Sequence, residues 1–178
     1  MRLLLRSPMI LIALTPLALA GTAAGPAAGA AAATTCSAWN GAQPVDPGLT
    51  TLENIVVVSP CDVWTVGSSR DLSSSDGPQT LIEHWDGSSW ATVPSPSTGF
   101  LDDASAASAS DIWAVGNSSG TVIEHFDGTS WTQKPSPHSG DGSVLFTVDA
   151  RTATDAWAGG YTRAGSFRGF VAPANGGQ

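Results

Sequence analysis

Positive charge is scarce in this chain: seven Lys and Arg stand against fifteen Asp and Glu over 178 residues, a formal net charge of −8. Binding a phosphate backbone requires a Lys/Arg surface that displaces condensed counterions. The shortage therefore argues against nucleic acids and anionic membrane surfaces as partners, and the acidity is better suited to solubility. Charged residues of both signs make up only 12% of the chain, tyrosine occurs once, as Tyr161, and cysteine twice, as Cys36 and Cys61. No Walker-type loop, H-E-x-x-H or C-x-x-C is present, so the signatures of a nucleotide phosphate loop, a helical zinc site and a thiol redox centre are missing. Helix signals are absent beyond the first residues. What the chain does have is Gly, Ser, Thr, Ala and Pro in abundance, alternating with short apolar runs that carry seven Trp, enough for a packed core.

The first residues read as a targeting segment. Arg2 and Arg6 form a basic start, Met9 to Leu19 is an apolar stretch broken by Thr15 and Pro16, and Ala18-Leu19-Ala20 supplies an A-x-A site before Gly21. The stretch is too short to span a bilayer. Residues 1–20 are thus expected to be a signal peptide and 21–35 a flexible Ala/Gly-rich leader, with residues 36–178 forming the exported domain, free of the membrane after cleavage. Thr35 before Cys36 makes a poor lipobox. In an exported chain the even pair Cys36 and Cys61 predicts one disulfide. Closing a loop of about 25 residues is worth roughly 3 kcal/mol by the chain-entropy argument.

Internal repeats decide the fold. Asp62-Val-Trp-Thr-Val-Gly67 recurs as Asp111-Ile-Trp-Ala-Val-Gly116 and as Asp155-Ala-Trp-Ala-Gly-Gly160. Ile82-Glu-His-Trp-Asp-Gly-Ser-Ser-Trp90 recurs at Ile123–Trp131, and each copy is followed by Pro-Ser-Pro. A weaker strand precedes each Asp-x-Trp, with Ile55/Val57, Ala104/Ala106 and Val148/Ala150 spaced by two as a half-buried strand requires. Each unit therefore reads as four short strands, here Leu52–Val58, Val63–Val66, Leu81–Trp85 and Ser89–Val93. Asp-Gly between alternating apolar runs marks the last hairpin.

Four strands per 40–50 residues in tandem fit propeller blades. The unit resembles the kelch repeat: an apolar-aromatic strand ends in Gly or Gly-Gly (Ile112–Gly116, Ala156–Gly160), then come an Asp-turn, a Trp and a Pro-rich exit (Ile123–Trp131, Pro135). It is also similar to repeat arrays of exported actinobacterial proteins of unassigned function. The resemblance spans Trp39 to the C-terminus and implies an all-β fold of about three four-stranded antiparallel blades. It implies little about activity. Galactose oxidase shares such blades, but its copper site needs Tyr and His ligands and a Tyr–Cys link. Tyr161 is the only Tyr, both Cys are expected in a disulfide, and no cofactor or metal is expected. The turn before Trp90 is one residue shorter than the sialidase Asp-box.

Trp39 matches Trp90 and Trp131 by spacing, and Phe170–Gly176 is a degraded counterpart of Leu81–Gly87. The chain thus begins on a fourth strand and ends after a third, the arrangement by which propellers sew a blade from both termini and leave no edge unpaired. Rings typically have about four to eight blades. Three units therefore imply a homodimer that completes a six-bladed ring, a fragment of a longer array, or an open arc.

Glu83-His84 and Glu124-His125 could do acid–base or metal chemistry, but they recur at one blade position, and strand neighbours point to opposite faces. A structural role is expected for them, as for the recurrent Trp39, Trp64, Trp90, Trp113, Trp131 and Trp157. Asp71–Gly77 has the spacing of a calcium loop without its final acid, since the twelfth position is Ile82. No catalytic residue is assigned. The long, variable loops fall on one rim, where Arg70, Asp71, Asp76, His138, Asp141, Tyr161, Arg163 and Arg168 concentrate the less common side chains. The expected function is an exported binding or interaction module for a polysaccharide or protein at the cell surface. The alternatives are a propeller-type glycoside hydrolase or lyase, and a fragment with no function of its own.

Overall fold

A computed structural model describes Cys36, residues 41–136, His138, residues 142–163 and residues 168–174. The signal segment, the leader, Trp39 and Asp141 lie outside the described residues. The chain is all-β and forms three antiparallel sheets. Sheet 1 comprises β1 (Leu49–Ser59), β2 (Asp62–Arg70), β3 (Gln79–Trp85) and β4 (Trp90–Val93). Sheet 2 comprises β5 (Phe100–Ser108), β6 (Asp111–Asn117), β7 (Thr121–Phe126) and β8 (Trp131–Gln133). Sheet 3 comprises β9 (Val144–Thr152), β10 (Asp155–Thr162) and β11 (Arg168–Pro173). In each, strands pair in sequence order.

The pairing registers are the repeat made visible. Trp64 lies opposite His84, Trp113 opposite His125 and Trp157 opposite Pro173. The degraded segment near Phe170 therefore takes the third-strand place of its sheet. Sheet 3 has no fourth strand among the described residues.

Local chemistry explains the turns. Asp86 Oδ1 accepts bonds from the Ser88 and Ser89 amides at 2.8 and 2.9 Å and from the Ser88 hydroxyl at 2.7 Å. That hydroxyl and those amides hold the Asp86 carboxyl down at about 2. Gly87 follows at φ +93°, a left-handed conformation that glycine adopts without a Cβ penalty. Asp127 does the same with the Thr129 and Ser130 amides, both at 2.9 Å.

The glycine that closes each Asp-x-Trp strand has a different cause. At Gly67, Gly116 and Gly160 a Cβ would stand 1.9, 2.0 and 1.9 Å from the carbonyl oxygens of Thr51, Phe100 and Val144. Each site adjoins a register shift in its strand pair. Such a bulge brings the first strand's backbone too close for any side chain.

Alternation gives each sheet two faces, and the sheets pack face to face. Trp64, Val66 and Ile82 of sheet 1 meet Leu101, Ala104, Ile112, Ala114, Phe126 and Trp131 of sheet 2. The opposite face of sheet 2 sends Trp113, Val115 and Ile123 against Leu145, Val148, Ala150, Ala156 and Ala158 of sheet 3. Sheet 2 is covered on both sides, and every residue of β7 is buried. The first strands lie side by side across the sheets: Asn54 Nδ2 donates to Asp103 Oδ1 at 2.6 Å, and Asp103 Oδ2 accepts the Val148 amide at 2.8 Å. The fourth strands β4 and β8 make no comparable contact.

Cys36 and Cys61 form a disulfide, with their Cα atoms 5.3 Å apart. Cys61 sits in the β1–β2 turn and touches Gly87 of the β3–β4 turn, so the bridge staples the leading segment to the tight-turn rim. A disulfide fits an oxidising environment. Among the described residues no helix is long and apolar enough to cross a membrane.

Candidate functional site

The recurrent Glu-His pairs are taken up by the scaffold, with the two side chains on opposite faces. The His84 ring stacks on Trp64 at 4.1 Å. Its Nε2 is 2.8 Å from Asp62 Oδ1, the same oxygen that accepts Trp64 Nε1 at 2.7 Å. Sheet 2 repeats the histidine contacts, with His125 on Trp113 at 4.2 Å and 2.7 Å from Asp111, but Trp113 Nε1 makes no bond to Asp111. In sheet 3, Pro173 replaces the histidine. Trp157 keeps its bond to Asp155 at 3.0 Å but is 52% exposed, where Trp64 and Trp113 are buried. Trp131 is buried and Trp90 half-buried.

The glutamates serve the junction between sheets. Glu83 and Glu124 are both fully buried. Glu124 accepts the Ser95 hydroxyl at 3.0 and 2.9 Å, and Ser95 also bonds Thr80, which donates to the Ser97 carbonyl at 2.6 Å. Glu83 Oε2 accepts the Val45 amide at 3.0 Å. In both cases the third-strand acid is held by the segment leading into its sheet, 94–99 for Glu124 and 41–48 for Glu83. The repeat points to hydrogen bonding within or between blades for these acids; the particular partners, Ser95 of the repeated Pro-Ser-Pro among them, come from the structure.

Burial raises both carboxyls above the ordinary glutamate range, against the lowering pull of Ser97, Ser95 and Thr80 at Glu124 and of the Val45 amide at Glu83. A raised folded-state value means that the native protein holds the proton more tightly than the unfolded chain. The contribution of these two groups to stability is therefore greatest below the unfolded glutamate value of about 4.3 and is lost as pH rises through the raised value. Urea unfolding across that range should show the natural protein losing stability relative to Glu124→Gln. Parallel curves would remove Glu124 as the source.

The rim opposite the disulfide carries the loops. Arg70 ends β2 and is exposed, as are Asp71 and Asp76 in the 71–78 loop. Asp71 Oδ1 closes its own turn by accepting the Ser73 amide at 2.8 Å and hydroxyl at 2.6 Å, which lowers its pKa. The His138 carbonyl accepts the Thr121 amide at 3.0 Å, tying the connection between sheets 2 and 3 to β7. Tyr161 packs on Phe146 at 5.5 Å, the exposed Arg163 gives its amide to Ser143 Oγ at 3.1 Å, and Arg168 opens β11 opposite Thr162. These residues are thus spread along one rim over three sheets. Tyr161 and Arg168 stand on neighbouring strands, and Arg70, Asp71 and Asp76 cluster at sheet 1.

Between the two groups lies a cleft of about 280 Å³ lined by Ser97, Thr98, Ser118, Ser119, Thr121 and Gln133. From sequence, Ser118 and Ser119 stand out only as part of the Asn117-Ser118-Ser119 glycosylation sequon and Thr98 only as a rim-loop residue. Gly116–Gly120 does have the spacing G-x-S-x-G. The structure places it across a turn between two antiparallel strands, whereas a nucleophile elbow needs a strand-to-helix turn. Ser118 Oγ stands 3.4 Å from the Thr98 hydroxyl, which is no base. Among the described residues no group of three or more His, Cys, Asp or Glu could hold a metal ion. No family model matches the sequence, and no curated protein matches it significantly.

Proposed function

We propose that the chain is an exported interaction module built from three successive propeller-type blades of kelch-like character, which binds a polysaccharide or protein through its loop rim. One observation carries this reading: the recurrent acid, histidine and tryptophan side chains are spent on holding sheets together, which leaves the rim as the place where the units differ. Sequential antiparallel sheets, and first strands in contact across sheets where β4 and β8 make no comparable contact, support the blade assignment. The hydroxyl- and amide-lined rim cleft supplies donors and acceptors of the kind a glycan presents. The signal-like first residues and the disulfide support export.

The test is a glycan-array and polysaccharide pull-down screen of the mature protein, run beside a hydrolysis screen on the same panel. Retention of a glycan class without turnover, lost on Gln133→Ala together with Ser119→Ala, is the expected result. Turnover abolished by changing one acidic loop residue would overturn it in favour of an enzyme.

A further inference from the structure

The two outer faces of the three-sheet stack are only partly covered by the described residues, and they differ from each other. The outer face of sheet 1 carries a groove of about 560 Å³ lined by Leu52, Ile55, Val57 and Trp90 and bordered by Ala42 to Pro44 of the leading segment; Ile55 and Val57 are 61% and 67% exposed, while Trp90 is half-buried and Trp85 beside it is buried. The outer face of sheet 3 presents Trp157 and Val171, the latter 70% exposed. Isolated exposed apolar residues need no explanation, but contiguous apolar faces do.

The registers show what each face is. The sheet 1 groove is the counterpart of the sheet 2 face that receives Trp64. Trp85 and Trp90, with ring centroids 5.9 Å apart, stand where Phe126 and Trp131 stand at 5.6 Å. Ile55 and Val57 occupy the places of Ala104 and Ala106. The outer face of sheet 3 is the counterpart of the inserting faces, with Trp157 in the place of Trp64 and Trp113. The chain therefore exposes one receiving and one inserting face of an interface that it already forms twice internally.

We infer that a second copy of this chain covers the groove, with Trp157 of one copy packing on Ile55 and Val57 beside Trp90 of the other. The template is internal: Trp64 lies 4.8 Å from Phe126 and 5.8 Å from Trp131. Volumes trade in the direction that such a fit requires. The inserting face of sheet 3 is smaller than that of sheet 1, with Gly159 for Val66 and Pro173 for His84. The receiving face of sheet 1 is larger than that of sheet 2, with Ile55 and Val57 for two alanines and Trp85 for Phe126. Opposite changes that conserve total volume keep a packed interface tolerable. The contact is heterologous, and it closes when two chains exchange it reciprocally. It rests on sheet packing and not on the rim, so its failure leaves the proposed ligand surface standing.

Light scattering on the mature protein is the test, with two variants at exposed positions, Trp157→Ala and Ile55→Arg, each checked for a native circular dichroism melt. The natural protein should show twice the chain mass, and each variant alone the single mass. Mixing the two should restore association, because one keeps the groove and the other keeps the inserting tryptophan. A natural protein of single mass at high concentration would overturn the inference. So would a dimer indifferent to Trp157→Ala, variants that fail to complement, or a groove filled by a glycan or by the chain's own leading residues.

Discussion

Trp64→Ala is expected to lower the unfolding free energy by about 3–5 kcal/mol, the cost of deleting a large aromatic from a packed core. The ring is 4% exposed and touches His84, Phe126 and Trp131. Its loss removes three aromatic contacts at once and leaves Asp62 with one donor fewer. Trp157→Ala is the internal comparison. The same repeat position, half exposed in the single chain, should cost a small fraction of that in a monomeric background. Denaturant melts of both variants measure the difference. Equal losses would mean that the two tryptophans sit in the same environment in solution.

Gly116→Ala should be as damaging, at about 3 kcal/mol or more, although it adds a single methyl group. The new Cβ would lie 2.0 Å from the Phe100 carbonyl oxygen and 2.8 Å from Leu101 Cα. Backbone atoms in a paired strand cannot swing aside as the end of a side chain can, so β5 and β6 would have to part near their bulge. Gly77→Ala makes the contrast. That glycine has φ +71° and open space around it, so only the left-handed conformation is penalised, at about 1 kcal/mol. If the two glycines cost the same in urea titrations, close strand approach is not why glycine recurs at the end of this strand.

Periodicity carried the architecture because each unit states its strands by alternation and its last hairpin by Asp-Gly. The four-strand segmentation around Trp64 and Trp113 follows from those signals, and so do the third-strand place of Phe170–Ala172 and the Cys36–Cys61 bridge. What repeats cannot reveal is which copies are covered. Trp64, Trp113 and Trp157 look alike in sequence, yet the third stands half exposed, because burial depends on a neighbouring sheet and not on local residues. The particular partners of Glu124 were hidden for a related reason: Ser95 in the connection between sheets 1 and 2 and Thr80 in sheet 1 are far away in sequence. The rim residues were placed on one rim by loop position alone. Their mutual arrangement is a matter of loop conformation, which neither alternation nor composition encodes.

That sheet 2 is flanked by a sheet on both faces while its neighbours are flanked on one has a consequence for how the molecule unfolds. Its internal contacts are nearest-neighbour contacts, so the stack behaves as a short one-dimensional lattice in which each sheet is stabilised by the interfaces it shares. The middle site has two such couplings and each end site one. Amide hydrogen exchange should then be graded: slowest in β6 and β7, faster in β2 and β3, and fastest in β10 and β11, where alanines and a proline weaken the coupling. Opening would begin at the ends and travel inward, and any partner that caps a terminal sheet would slow exchange in sheets it never touches.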